Sequence, residues 1–120
     1  MKKSLSIILC LALMLGAIAV LSSCNETKTY EIAIVTDVGL LMDKGFNQGT
    51  YEGAKAYAEK HNIAYKYYQP ANGSDASDND RIDAMKQAIS NGAKIIVAPG
   101  FLQATAMETV SKDHPEVKFV

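Results

Sequence analysis

The sequence contains no tryptophan, three prolines and a single arginine, Arg81, among its 12 basic residues. Its 13 acidic residues slightly outnumber the basic ones, which gives a formal net charge of −1. A chain with so little positive charge has no electrostatic surface suited to nucleic acid, so we expect no nucleic-acid partner. Only two cysteines are present, and 48% of the residues are hydrophobic. These values exclude a disulfide-rich scaffold and a disordered chain.

Long apolar runs are also absent, except for one near the N-terminus, where Ile7 to Leu21 covers 15 residues. Lys2 and Lys3 precede this run, and small residues follow it, which is the layout of a secretory signal peptide. The run is shorter than the roughly 20 residues that a membrane-spanning helix needs. We therefore predict a signal peptide over residues 1–23. The alternative is a single membrane anchor with an incidental cysteine.

The segment Leu21-Ser22-Ser23-Cys24 resembles the lipobox of bacterial lipoproteins, in which the cysteine is acylated and becomes the first mature residue. Because Cys10 leaves with the signal peptide, Cys24 is the only cysteine of the mature chain, so no internal disulfide can form. Two or more acyl chains on one residue give a stable membrane anchor. We predict lipidation of Cys24, a tether over residues 24–30 and a location on the extracytoplasmic face of a bacterial cell membrane.

Residues 31–120 alternate short apolar segments with helical patterns. We predict strands at Tyr30–Val35, Ile63–Tyr68, Ala93–Val97 and Val117–Val120, and helices at about Phe46–His61, Asp78–Ser90 and Leu102–Lys112. This βαβαβαβ order predicts an α/β fold, a doubly wound parallel sheet of strand order 2-1-3-4. Nothing follows the last strand to cover its edge, so we expect this N-terminal lobe to be incomplete, as a fragment or an interrupted reading frame.

Residue spacing also predicts how the first two helices pack and end. The inner face of the first helix is assigned at three- and four-residue spacing to Thr50, Gly53, Ala54, Tyr57 and Ala58. Ile82, Met85 and Ile89 form the stripe of the second helix. The predicted capping and stop residues are Ser77 or Asp78, Asn62, and Asn91-Gly92.

Ligands of doubly wound sheets bind beyond the C-terminal ends of the strands, where the strand order reverses. In this chain that point lies between the first and third strands, which are followed by loops 36–45 and 98–101. Asp37, Phe46 and Asn47 offer an acceptor, a flat ring and an amide, a set that suits a planar heterocycle with polar edges. Alternatively, Phe46 belongs to the core and Asp43 only caps the helix.

Residues 32–48 read Ile-Ala-Ile-Val-Thr-Asp-Val-Gly, four further residues, and Lys-Gly-Phe-Asn-Gln. This string resembles the signature of the basic membrane protein family, bacterial substrate-binding lipoproteins related to purine nucleoside receptors. Residues 95–101 and 114–120 resemble the next two segments of that family. The resemblance implies a type I periplasmic-binding architecture, in which a nucleoside lies between two α/β lobes. This chain would hold only the N-terminal lobe, and the partner would be an ABC permease.

The resemblance also implies roles for individual residues. Asp37 and Asn47 would hydrogen-bond the ligand, and Phe46 would stack on its base. Gly100 and Phe101 would line the floor of the site, although a helix start followed by a core aromatic is an equal alternative. The family usually has a serine where this chain has Gly45, so a hydroxyl that could cap the helix or touch the ligand is missing.

The sequence shows no set of residues for catalysis or metal binding. It has no discernible Ser/His/acid or Cys/His combination, so we predict no enzyme activity and no cofactor. The acidic residues between Asp75 and Asp83 lack the spacing of a calcium loop, so we predict no metal site. Two other functions remain open: a surface adhesin or signalling lipoprotein on the same fold, and a nucleoside-processing enzyme.

Overall fold

A computed structural model of the protein describes residues 29–120. The predicted signal peptide, Cys24 and most of the tether lie outside the described residues. The strands are β1 (Ile32–Val35), β2 (Tyr65–Tyr68), β3 (Ile95–Val97) and β4 (Lys118–Phe119). The helices are α1 (Phe46–Lys60), α2 (Asp78–Ser90) and α3 (Ala104–Asp113), with single 3-10 turns at Gly73–Asp75 and Phe101–Gln103.

The four strands form one sheet in the order β2-β1-β3-β4, and every pairing is parallel. In the central strand, Ile32 lies opposite Tyr65 of β2 and opposite Ile95 of β3. All four residues of β1 are buried, because the strand has neighbours on both sides and helices over both faces. The predicted α/β class and strand order are therefore confirmed.

The residues of β1 alternate between two hydrophobic cores. Ala33 and Val35 face the larger core, which α2 and α3 cover with Met85 and Val110 among its fully buried side chains. Ile32 and Ile34 face the smaller core under α1, together with Ala58. Because successive residues of a strand point to opposite faces, one four-residue segment serves both layers.

The predicted inner face of α1 is wrong by one position along part of its length. Gly53 and Tyr57 are exposed, whereas Ala58 is buried and Ala54 is half-buried. The hydrophobic pattern of this helix is weak, and two stripes of equal spacing compete for the core. The buried amide of Asn47 selects the second stripe, as described below. The observed inner face is Asn47, Tyr51, Ala54 and Ala58.

The ends of the helices follow local signals in the sequence. Ser77 caps α2 through a reciprocal capping box with Asp80, as one of the two predicted caps. Asn62 follows α1 with a positive φ of 54°, and Gly92 follows α2 with a φ of 95°, so both predicted stop signals adopt the left-handed conformation. The third helix starts later than predicted, because the 3-10 turn replaces its first residues.

The described chain enters the sheet at the edge where the strands begin. The backbone N–H of Tyr30 donates to the carbonyl of Asn91, just beyond the end of α2, at 3.0 Å. This contact fixes the chain at the edge of the sheet opposite to loops 36–45 and 98–101. Over residues 29–120, no helix combines the length and the apolar character needed to cross a bilayer.

Candidate functional site

A cleft of about 350 Å³ opens where β1 and β3 end. It lies at the reversal of strand order, between the two loops that the sequence analysis selected. All five residues proposed as ligand contacts line it, so the structure brings the predicted set together. The lining residues are Asp37, Val38, Asp43, Phe46, Asn47, Pro99, Gly100 and Phe101.

The acidic residue at the end of β1 is tied to the only arginine of the chain. Asp37 is 8% exposed and Arg81 is 4% exposed. The Nε and Nη2 groups of Arg81 donate to the same oxygen, Oδ1 of Asp37, at 3.2 and 3.1 Å. The Nη1 group donates to the carbonyl of Ala76 at 2.9 Å. The guanidinium therefore fixes one oxygen of the carboxylate, while the other oxygen accepts no hydrogen bond within residues 29–120.

Gly100 is the residue next to that second oxygen. A Cβ atom at position 100 would lie 2.8 Å from Oδ2 of Asp37, closer than real Cβ contacts come. Gly100 also has a φ of 109°, in the region that residues with side chains rarely adopt. Both the space and the backbone conformation require glycine here. The loop after β3 thereby approaches the carboxylate closely and keeps Oδ2 beside the cleft.

The amide of Asn47 supports the loop that forms one wall of the cleft. Its side chain is buried, and Nδ2 donates to the carbonyl of Val38 at 3.0 Å. This bond links the first turn of α1 back to the loop after β1, and it requires the face of α1 that carries Asn47 to point inward. Asn47 is also among the residues that line the cleft, so the residue that holds the loop lies beside the space for a ligand.

Asp43 organises the start of α1. Its Oδ1 accepts from the backbone N–H groups of Gly45 and Gln48 at 2.7 and 3.2 Å, and its Oδ2 accepts from Asn47 at 3.3 Å. The hydrogen bond from Gly45, followed by those from Gln48 and Asn47, holds the pKa of Asp43 below its ordinary value of 3.8 against a smaller opposing effect of desolvation. Asp43 thus caps the helix that lacks a serine hydroxyl at position 45.

Two phenylalanine rings stand at the mouth of the cleft. Phe46 is 70% exposed and Phe101 is 87% exposed. Such exposure excludes the alternative in which either ring belongs to the core. Phe101 begins the 3-10 turn directly after Gly100 and lines the cleft. Two large apolar faces beside the cleft are therefore open to a ligand.

Sequence reasoning missed four residues that support the cleft. Arg81 was overlooked, although it falls on the same three- and four-residue spacing as the buried residues of α2. The hydroxyl groups of Thr36 and Tyr67 lie 2.9 Å apart and join the end of β1 to β2. Gln103 is fully buried and donates through Nε2 to the carbonyl of Val35 at 3.1 Å. Of these residues, only Arg81 is marked in the sequence, by its place on the spacing of the buried residues of α2.

Two further grooves of similar volume lie elsewhere on the lobe. One, of about 420 Å³, lies beside α2 and is lined by Asp80 and Asp83 among others, but the Asp80 carboxylate is already bound in the capping box. The second, of about 370 Å³, is almost wholly apolar and lies between α1 and β3. Neither combines an exposed ring with a buried acceptor. Within residues 29–120, no cluster of three side chains suited to a metal ion exists.

The fold and the position of the cleft define the class of protein. A solute-binding protein of an ABC transporter system from Aeropyrum pernix K1 is similar in structure, with a TM-score of 0.63 and 26% sequence identity. The similarity covers 75% of this chain and 23% of that one. The lobe therefore belongs to a substrate-binding protein. The chain belongs to the Bmp family of PnrA-like ABC transporter substrate-binding proteins, whose model matches residues 30–120.

Individual relatives agree with this assignment, which confirms the resemblance noted in the sequence. The chain is 30% identical over 123 residues to the ABC transporter nucleoside-binding protein BmpA of Lactococcus lactis subsp. cremoris, covering 91% of this chain and 34% of that one. It is 31% identical over 107 residues to a protein of Mycoplasma pneumoniae named a lipoprotein, covering 78% of this chain and 16% of that one. The chain spans about a third or less of the length of these curated relatives.

Proposed function

We propose that this chain forms the N-terminal lobe of a purine-nucleoside receptor of an ABC importer and catalyses no reaction itself. The observation that carries the proposal is the exposed Phe46 ring beside the buried Asp37 carboxylate and Asn47 amide. The membership of the Bmp family and the name of the Lactococcus lactis relative support it.

The chemistry of the cleft suits a nucleoside in four ways. The Phe46 ring offers a flat face on which a purine base can stack. Oδ2 of Asp37 accepts a hydrogen bond from a ligand hydroxyl or N–H group, because its neighbour Oδ1 is occupied by Arg81. The amide of Asn47 retains acceptor capacity after its bond to the Val38 carbonyl. Phe101, which also lines the cleft, offers a second exposed ring to the ligand.

The charges of the cleft favour an uncharged ligand. Two carboxylates, Asp37 and Asp43, are among the lining residues, and that lining includes no lysine or arginine. The charge of Arg81 is already matched by Asp37. A phosphate group would therefore meet negative charge without a cation to bind it, so the site should select nucleosides over nucleotides.

The apolar rim of the cleft supports a second covering surface. Large side chains around the mouth are exposed, which is typical of a surface that another part of a protein covers. In a two-lobed receptor they would meet the opposite lobe. Val38, Phe46 and Phe101 line the cleft, and the exposed Leu40, Met42 and Leu102 lie in the adjoining loop and 3-10 turn.

The membrane anchor and the transporter partner belong to the same proposal. Acylation of Cys24 would hold the lobe at the extracytoplasmic face of the membrane, where an importer receives its substrate from a binding protein. The lipobox-like segment and the lipoprotein name of the Mycoplasma pneumoniae relative support this arrangement.

A ligand titration tests the proposal. We would add adenosine, inosine, AMP and ribose separately to the isotopically labelled protein in detergent and follow amide resonances. One lobe provides about half of the contacts, so affinity should be on the order of a thousandfold weaker than for a two-lobed receptor. Adenosine and inosine should produce saturable shifts in loops 36–45 and 98–101. AMP should bind more weakly, and higher salt should narrow the difference. Equal shifts with ribose alone, or stronger binding of AMP, would contradict the proposal.

A further inference from the structure

The single arginine of the chain is buried, although arginine side chains are mostly exposed in folded proteins. Arg81 lies on α2, which contributes no residue to the lining of the cleft. Three of its guanidinium donors are used, two on Oδ1 of Asp37 and one on the carbonyl of Ala76. This side chain therefore touches the site only through Asp37.

The arrangement makes the two oxygens of Asp37 unequal. Oδ1 receives both arginine donors, and Oδ2 lies on the side of Gly100, where only a glycine leaves room for it. An untied aspartate can occupy several staggered wells about its first torsion and a broad, roughly two-fold range about its terminal torsion, so its carboxylate samples many orientations. Two donors converging on one oxygen remove that freedom.

We propose that Arg81 is a positioning residue for ligand recognition. It fixes the Asp37 carboxylate so that Oδ2 presents one acceptor of defined direction to the cleft. This inference rests on the proposed function, because the acceptor is assigned to a hydroxyl or N–H donor of a nucleoside. A lysine could not replace Arg81, since a single ammonium group cannot reach both the carboxylate and the Ala76 carbonyl with the geometry of a planar fork.

The first arm of the test needs no ligand. Three-bond couplings of Asp37 report its rotamer about the first side-chain torsion in the full chain in detergent. We expect one rotamer in the wild type and averaging in Arg81→Met. Lys86→Met is the matched control, because it removes an exposed cation from the same helix, one that lies 4.0 Å from Asp113. It should leave the rotamer of Asp37 unchanged. A fixed rotamer in Arg81→Met would overturn the proposal, whatever the ligand does.

The second arm measures adenosine affinity across a double-mutant cycle. Arg81→Met should weaken binding about tenfold or more, because it releases a charged acceptor. In the Asp37→Asn background the same substitution should change affinity less than about twofold, because a residue that acts through Asp37 has nothing left to position. The double variant Arg81→Met/Asp37→Asn buries no unpaired charge, so its adenosine affinity can still be measured and compared with that of Asp37→Asn if Arg81→Met alone unfolds. Equal losses in both backgrounds would show a merely structural role.

The two arms separate the failure of this inference from the failure of the proposed function. If the wild type binds no adenosine but the Asp37 rotamer depends on Arg81, the nucleoside assignment is wrong and the positioning of Asp37 by Arg81 is supported. If adenosine binds and the cycle is additive, the proposed function is supported and the positioning role is overturned.

Discussion

Arg81 and Asp37 lie 44 positions apart in the chain, yet they form a buried ion pair in which two guanidinium donors meet one carboxylate oxygen. The pair joins α2 to the end of the central strand. The pair therefore couples the position of α2 to the cleft, because any shift of α2 moves Oδ2 of Asp37, the acceptor in the cleft.

Breaking that pair from one side should destabilise the lobe strongly. Arg81→Met leaves the Asp37 charge buried without a partner, which costs about 3–5 kcal/mol of unfolding free energy. The double variant Arg81→Met/Asp37→Asn removes both charges and should recover much of this loss. Urea unfolding of the wild type, both single variants and the double variant measures the coupling. Additive losses would contradict a direct pair.

Phe46→Ala should reduce nucleoside affinity without reducing stability. The lost stacking contact is worth roughly 1–3 kcal/mol by analogy with base–aromatic stacking, so affinity should fall about tenfold or more. Because the ring is 70% exposed, the melting temperature should stay within roughly 3 °C of the wild type.

Tyr57→Ala is the matched control for Phe46→Ala. Tyr57 is another exposed aromatic of α1, 53% exposed, and it lines the apolar groove instead of the cleft. It should leave nucleoside affinity unchanged. A large fall in the melting temperature of Phe46→Ala with intact binding would show that Phe46 stabilises the fold and does not contact the ligand.

Acid should weaken the lobe through its capping carboxylates. Hydrogen bonds from the backbone and side chain of Ser77 hold the pKa of Asp80 below its ordinary value of 3.8. The pKa of Asp43 is also lowered. A group with a lowered folded-state pKa stabilises the fold above its unfolded pKa, and this contribution is lost as the pH falls through the folded-state pKa. Melting temperature should therefore fall as the pH drops below about 4.

Asp80→Asn measures how much of the fall in melting temperature at low pH comes from this one carboxylate of the capping box. Its melting temperature at pH 7 should lie below that of the wild type, because the ionised carboxylate accepts hydrogen bonds from Ser77 in the capping box. The gap should narrow as the pH falls through the lowered pKa of Asp80, where the wild type also loses this charge. Asp83→Asn, on an exposed position of the same helix, should change the curve little. A gap that stays constant with pH would exclude the ionised cap as its cause.

Cys24→Ala should prevent maturation of the protein. The lipobox-like segment predicts that acylation of this thiol precedes removal of the signal peptide. The variant should remain unprocessed or leave the membrane fraction, which gel mobility and fractionation measure. Cys10→Ala serves as the control and should mature normally. Normal processing and fractionation of Cys24→Ala would exclude the lipoprotein assignment.

Local signals made most of the fold predictable. The continuous apolar run of β1 indicated a strand buried on both faces, and the alternation of strands and helices gave the order 2-1-3-4. Ser77, Asn62 and Gly92 marked helix ends through interactions within a few residues of the chain. The lining of the cleft was predictable for the same reason, because the ends of β1 and β3 must meet.

Contacts between distant residues were not predictable in the same way. Hydrophobicity placed Gly53 and Tyr57 on the inner face of α1, but the buried polar residue Asn47 determines which face turns inward. The pairing of Arg81 with Asp37 leaves no local mark in the sequence, since it depends on how α2 crosses the sheet. Buried polar groups decided both outcomes, and a pattern of apolar residues does not show them.

The hydrogen bond from Tyr30 to Asn91 and the Asp37 carboxylate lie at opposite ends of β1, a strand about 13 Å long. A lipid on Cys24 would keep the end with Tyr30 nearest the bilayer. The mouth of the cleft would then point toward the surrounding medium, and a solute could enter without passing between lipid headgroups. A transporter in the same bilayer could meet that mouth only after the lobe turned over. The length of chain between the lipid and Tyr30 would set how readily it turns.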